Sequence, residues 1–386
     1  MSKYPYAIAQ TEMKRRHQAT LAEMDAKGID CLILQSNSGG LGGAMKYLTD
    51  LSVSQYSIQA IFSKEGISLF GHGALNGAVK PPYLEIENII EEIPQPYIIS
   101  MTYGDNWIPT EMAVSIKKKG FKKIGLVGMG YITANVYKYL TENLPNCEFV
   151  NASDITDHLR AVKSDYEMEL FLNSVNIHDK IAAAIPSLLR PGRTEMQIIT
   201  DLNYLAQSLD CPETNIMVRS YQNKPGSNYS GYNKIIEKDD YVSILVELCC
   251  PFYAWGEVAR IYSFKEPGQN MKDARDYGMY IHDYMAEICI PGAIPGDICA
   301  KFNEKLTVKG YYPEPRLGAH SQSCDIVDRP AFNAGETMPL EENMFLAFHA
   351  SVYNEDVSFS NCDNYVVRSH GSIRLNKTPR GIIVID

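Results

Sequence analysis

The chain has 386 residues, 45% of them hydrophobic and 21% charged, with a formal net charge of -10. That length exceeds the usual size of one hydrophobic core and predicts two domains, while the apolar content excludes a disordered protein. The acidic balance excludes a general nucleic-acid binder, which needs surplus Lys and Arg to neutralise phosphate, and leaves a small molecule or peptide as the expected partner.

The opening segment MSKYPYAIAQTEMKRRHQ carries charge from the start and lacks the apolar core of a signal peptide. No stretch approaches the roughly 18 apolar residues needed to cross a bilayer, so the expected location is cytoplasmic, with no membrane association. The nine cysteines are scattered without a CxxC pair or a disulfide-framework spacing, and they read as reduced thiols, most of them buried.

The first 150 residues alternate helical and strand-like runs: TEMKRRHQATLAEMDAKG then IDCLILQS, a hairpin in QAIFSKEGISLFG, a helix in TEMAVSIKKKG and a strand in FKKIGLVG. From residue 154, DITDHLRAVKSDYEMELFLNSVNIHDKIAAAIPSLL is a long helical segment with apolar residues three and four apart. The predicted domains are therefore 1–154 and 155–386. Pro191 and Gly192 then break the chain, and Thr194 is placed to cap a new helix. A similar Pro-Gly phrase returns in PGAIPGDICAKFNEKLTVKG about 100 residues on, which points to two halves of one α/β domain related by pseudo-symmetry.

The string RAVKSDYEMELFLNSVNIHDKIAAAI followed by LRPGRTEMQI resembles the opening of the pita-bread domain shared by creatinase, prolidase, aminopeptidase P and methionine aminopeptidase. The first 150 residues, with their helix-strand start and the phrase MKYLTDL, are similar to the smaller domain that precedes it in creatinase and aminopeptidase P. The resemblance implies an α/β (α+β) protein: a creatinase-type N-terminal domain followed by a pita-bread catalytic domain. It also implies a homodimer in which the small domain of one subunit closes the pocket of the other.

Metallopeptidases of this superfamily carry five ligands, two Asp on a β-hairpin, one His, and two Glu on later strands, which hold two divalent ions around a shared hydroxide. In DDYVSILVELCCPFYAWGEVARIYSF, anchoring on Arg260 places Glu257 at the second Asp, and the first falls on Val246 or, with a gap of one, on Glu247, the favoured choice. His320 in RLGAHSQSCDIVDRP matches the ligand His, with Val327 where peptidases place a second His and Asp328 where Glu usually follows. LEENMFLAFHASV places His349 at one ligand Glu, and SNCDNYVV places Cys362 at the other. The loop that supplies a proton-shuttling His in relatives, NKPGSNYSGYNKIIEKDD, has none, with Asn228 or Tyr229 nearest the place.

Because only His320 is an unaltered ligand, the resemblance implies a creatinase-like, metal-independent hydrolase that cleaves a C–N bond in a small non-peptide metabolite, with no cofactor. Glu247 and Glu257 would anchor a cationic group, and His320 or His349 would be the general base. Arg260, Cys362, Asp328, Asn228 and Tyr229 would contact substrate, Arg260 as a carboxylate clamp. The alternative takes Glu257, His320, His349 and Cys362, with Glu247 as a fifth, as a mixed set for one zinc, iron or manganese ion. A further alternative is a pita-bread module that has lost catalysis and only binds.

Overall fold

The computed structural model describes residues 8–37, 41–51, 56–72, 88–96, 106–222 and 234–385. The chain forms two compact units, Met1–Arg160 and Ala161–Asp386. Among the described residues no helix is long and apolar enough to cross a membrane.

In the first unit, helix α1 (Gln10–Lys27) stops at Gly28, whose φ of 63° suits glycine. It leads into β1 (Cys31–Ser36), in which every residue is buried. β1 pairs antiparallel with β2 (Ile58–Ser63) and parallel with β5 (Lys123–Leu126). With β3 (Gly66–His72), β4 (Ile89–Gln95) and β6 (Glu148–Asn151) they form one sheet in the order β4-β3-β2-β1-β5-β6. β2 and β3 are the hairpin expected from QAIFSKEGISLFG, joined at Lys64 and Glu65. Among the described residues the helices of this unit are α1, α2 (Gly43–Thr49), α3 (Trp107–Lys119), α4 (Ala134–Asn143) and α5 (Ser153–Ala161).

The second unit opens on α6 (Asp165–Leu188) and α7 (Glu195–Ser208), and both begin with capping boxes, Ser164 with Glu167 and Thr194 with Gln197. They precede β7 (Glu213–Tyr221), β8 (Tyr241–Cys250) and β9 (Ala254–Ser263), which form a four-stranded sheet with β17 (Ile382–Val384). Helices α8 (Gln269–Ile288) and α9 (Pro295–Val308) then precede a five-stranded sheet, β11-β10-β12-β15-β16. Its strands are β10 (Ala319–Ser321), β11 (Asp328–Ala331), β12 (Phe345–Phe348), β15 (Asp363–Arg368) and β16 (Gly371–Arg374), and a small pair, β13 (Val352–Tyr353) with β14 (Ser358–Phe359), lies between β12 and β15 in the chain.

The internal repeat is real in three dimensions. Burial repeats position for position between residues 181–200 and 281–300. Gly192 and Gly292 both adopt positive φ, 90° and 86°. Their N–H groups donate to equivalent carbonyls, Ile236 at 2.8 Å and Leu340 at 2.7 Å. The two sheets meet where Ala259 of β9 and Cys362, just before β15, exchange backbone hydrogen bonds of 3.2 Å each.

The loop after β11 is fixed by Glu336, which accepts from Arg329 at 3.0 and 2.7 Å and from the N–H groups of Ala331, Thr337 and Met338. Burial works against its charge, but the Arg329 guanidinium and these donors hold the carboxyl down at about 2. A carboxyl held below its unfolded value of about 4.3 adds stability above that pH and loses it as the pH falls through the folded value. Glu336→Gln is therefore expected to lower the urea midpoint at about pH 7, with the gap to the parent narrowing between about pH 4 and pH 2. A gap that does not change with pH would show that the charge contributes nothing.

Candidate functional site

The β8–β9 hairpin sets the floor of the site. Its register pairs Glu247 directly with Glu257, Leu245 with Ala259 and Val246 with Val258. Side chains alternate along a strand, so Val242, Ile244, Val246 and Leu248 enter the core beneath the sheet. Ser243, Leu245 and Glu247 face the other way and, with Glu257 and Ala259, line a cavity of 230 Å³. Of the two positions left open by the sequence, Glu247 is the one at the cavity, and Val246 is fully buried away from it.

The five-stranded sheet supplies the opposite wall. His320 on β10 has its Nδ1 2.8 Å from the Ser321 carbonyl, which requires the proton on Nδ1 and leaves the Nε2 lone pair free to bind. That Nε2 lies 3.7 Å from Glu257 Oε1. His349 directly follows β12, and its N–H donates to the Gly318 carbonyl at 2.9 Å. The two imidazole centroids are 5.0 Å apart. Cys362 donates from Sγ to Glu257 Oε1 at 2.9 Å, and Asn364 clamps the Glu257 backbone through bonds to its N–H and carbonyl.

Burial dominates the electrostatics. It pushes the Glu247 carboxyl up to about 10, with the Glu257 charge adding to the effect. Burial also opposes charge on Glu257, but the imidazoles of His320 and His349 hold it down at about 2. The pair thus shares one proton, carried by Glu247. Burial lowers His349 to about 3, so its ring is neutral at physiological pH, and burial with the Glu257 charge raises the Cys362 thiol well above its ordinary value.

Glu257, His320 and His349 each offer a ligand atom, and these atoms lie within 4.8 Å of one another. An ionised carboxylate, a neutral imidazole and a second imidazole with its tautomer already fixed form a donor set suited to zinc or iron(II). The residues present therefore fit a divalent ion.

Several expected contacts lie elsewhere. Arg260 faces away from Glu257 and is 1% exposed. Its guanidinium makes five hydrogen bonds, to Asp363 Oδ1 and to the carbonyls of Ala259, Cys362, Thr378 and Pro379. It is an internal brace rather than a substrate clamp. Asp328 accepts the Ser323 hydroxyl and is not among the cavity residues, whereas its neighbour Val327 is. Asn228 and Tyr229 lie outside the described residues.

Two cavity-side residues escaped the sequence reading. Asn215 pairs with Glu247 across β7 and β8 and donates to its carboxylate, but β7 bears no motif that would single it out. Arg316 lines the cavity and precedes His320 by four residues in RLGAHSQS, a proximity that was the available signal.

The sequence model of metallopeptidase family M24 matches residues 169–378, and that of the creatinase/prolidase N-terminal domain matches residues 16–162. The chain is 19% identical over 288 residues to an uncharacterized peptidase, YqhT, of Bacillus subtilis (strain 168), covering 73% of this chain and 80% of that one. It is 20% identical over 267 residues to a Xaa-Pro dipeptidase of Pyrococcus horikoshii, covering 67% and 76%. Among solved structures, a Xaa-Pro dipeptidase from Bacillus anthracis superposes with a TM-score of 0.76 at 18% identity, over 97% of this chain and 100% of that one.

These findings correct two expectations. The creatinase-like cleavage of a non-peptide metabolite is overturned, because the relatives are named as peptidases and dipeptidases. The expected absence of any cofactor is overturned by the match to a metallopeptidase family and by the convergence of Glu257, His320 and His349. The alternative reading, in which the replacements are themselves ligands, is the one that the convergence of Glu257, His320 and His349 fits.

Proposed function

The chain belongs to metallopeptidase family M24, and we propose that it is a metal-dependent hydrolase of a peptide or amide bond in a small substrate, with one divalent ion held by Glu257, His320 and His349. The observation that carries this reading is the approach of their three ligand atoms to within 4.8 Å of one another on the cavity wall. Zinc or iron(II) suits the two imidazoles better than manganese, which favours oxygen donors.

When bound, such an ion polarises the substrate carbonyl and makes water a nucleophile near neutral pH. The protein's own residues do the rest. Glu247 faces Glu257 across the hairpin and already carries the pair's proton, so it is the group placed to give that proton to the leaving amine and to be reprotonated from water. Asn215 orients the Glu247 carboxylate, and Asn364 fixes the strand that carries Glu257. Cys362 keeps its proton and steadies a Glu257 oxygen through its thiol. Leu245, Leu317, Met217 and Val327 line the cavity with apolar surface, which limits water beside the scissile bond. A homodimer in the cytoplasm belongs to the same proposal, as the family resemblance implies.

Metal analysis of the chain purified without added metal or chelator should find about one zinc or iron per chain. Hydrolysis of alanyl-proline, chosen from the names of the relatives, should vanish on chelation and return with the ion. A metal-free protein whose hydrolysis ignores chelators would refute the proposal.

A further inference from the structure

Away from the catalytic cavity, two cysteines meet at the end of the β7–β8 ladder. Cys211 lies between α7 and β7, where its N–H donates to the Ala206 carbonyl of the helix's last turn at 3.1 Å. Cys250 is the final residue of β8. The ladder's outermost pair is Glu213 with Cys249, so Cys211 and Cys250 come together just beyond it. Their Sγ atoms are 3.6 Å apart and share a thiol hydrogen bond, although 39 residues separate them in the chain. Both are reduced.

Cys250 belongs to the face of β8 that enters the core with Val242, Ile244, Val246 and Leu248, and Cys211 packs into the same cluster. Cys249, one residue back, points to the opposite face. Both partners are buried, but Asp210 and Pro212, on either side of Cys211, are exposed. One layer of chain therefore separates this sulfur from water, and fraying at the end of α7 admits a small oxidant. The two thiols are also unequal. Their shared hydrogen bond lowers Cys211 from its ordinary value, whereas burial raises Cys250 well above it, which makes Cys211 the sulfur that more readily attacks as thiolate.

We propose that Cys211 and Cys250 form an oxidation site, at which hydrogen peroxide converts the two thiols to an intramolecular disulfide that staples the end of the strand carrying Glu247. The Cys211 thiolate attacks one peroxide oxygen, the O–O bond breaks, and a sulfenic acid forms while the other oxygen leaves as water with the proton that Cys211 gave up. Cys250 sulfur then attacks the sulfenic sulfur, the S–O bond breaks, and that oxygen departs as a second water with the Cys250 proton. Two thiols are oxidised and one peroxide is reduced. The closed loop contains β7 and β8, so the bond restricts the unfolded chain over the segment that supplies Asn215 and Glu247. None of this depends on the reaction catalysed in the cavity.

The test treats zinc-loaded protein with hydrogen peroxide, unfolds it in a thiol-blocking reagent and maps the peptides by mass spectrometry. The expected product is a Cys211–Cys250 crosslinked peptide that dithiothreitol separates, together with a thermal midpoint about 5–10 °C above that of the reduced protein. Cys211→Ser and Cys250→Ser should each lose the crosslink and the shift, whereas Cys249→Ser should keep both. Recovery of Cys211 and Cys250 as blocked thiols or as singly oxidised acids would overturn the assignment, as would a crosslink made to Cys249. An unchanged midpoint once the bond has formed would overturn the staple. Should a serine variant at Cys211 or Cys250 fail to fold, the parent map and Cys249→Ser still decide the outcome.

Discussion

His349→Ala is expected to lose the divalent ion and at least about a thousandfold in kcat/KM, because two ligands of the three cannot hold a catalytic ion in place. The ring is neutral at physiological pH, so no proton competes with metal for its lone pair, and truncation removes a full ligand. Metal content after gel filtration is the primary readout, since a merely structural histidine would leave it unchanged. The second readout is the unfolding midpoint of the chelated protein, which separates lost ligation from lost packing. His349→Glu should keep an ion, with the preference moving toward manganese as an oxygen donor replaces nitrogen. If His349→Ala retains stoichiometric zinc or iron and full turnover, the assigned site is wrong.

Asp363→Ala is expected to destabilise the second unit by about 3–5 kcal/mol, the cost of stranding a buried cation. Arg260 and Asp363 are 1% and 0% exposed and lie 2.7 Å apart. Arg374 also reaches Asp363 at 3.0 Å, and Asn361 donates to its second carboxylate oxygen at 2.9 Å. Removing the carboxylate leaves Arg260 with carbonyl partners only. Urea unfolding followed by circular dichroism measures the loss, and a loss below about 1 kcal/mol would show that the carbonyls alone suffice. Because Asp363 adjoins Cys362 and Arg260 bonds the Cys362 carbonyl, the variant should also weaken metal retention.

Much of this fold was legible because local chemistry and overall architecture agree. Thr194 caps its helix as the Pro-Gly break before it predicts, and the repeat phrase marks equivalent turns at Gly192 and Gly292. The motif register also placed Glu257, His320, His349 and Cys362 on one cavity. The choice between Val246 and Glu247 needed the pairing across the hairpin, since a slip of one residue exchanges the two faces of a strand. Arg260 was misread for a related reason. Its distance of three from Glu257 places it on the far face, but nothing nearby in the chain announces that Asp363, 103 residues away, waits there. Arg316 was missed because it reaches the cavity through its bond to Glu314, which no ligand motif includes.

Glu257 belongs to the four-stranded sheet, whereas His320 belongs to the five-stranded one and His349 directly follows its strand β12. An ion gripped by all three is a rivet through the seam between the two halves, set beside the Ala259–Cys362 backbone exchange. Such a rivet is absent from the unfolded chain, so its binding free energy adds to the resistance of the domain to opening. Under the proposed reading, catalytic competence and mechanical integrity are fastened at the same point, and losing the ion would loosen the join as well as silence the chemistry.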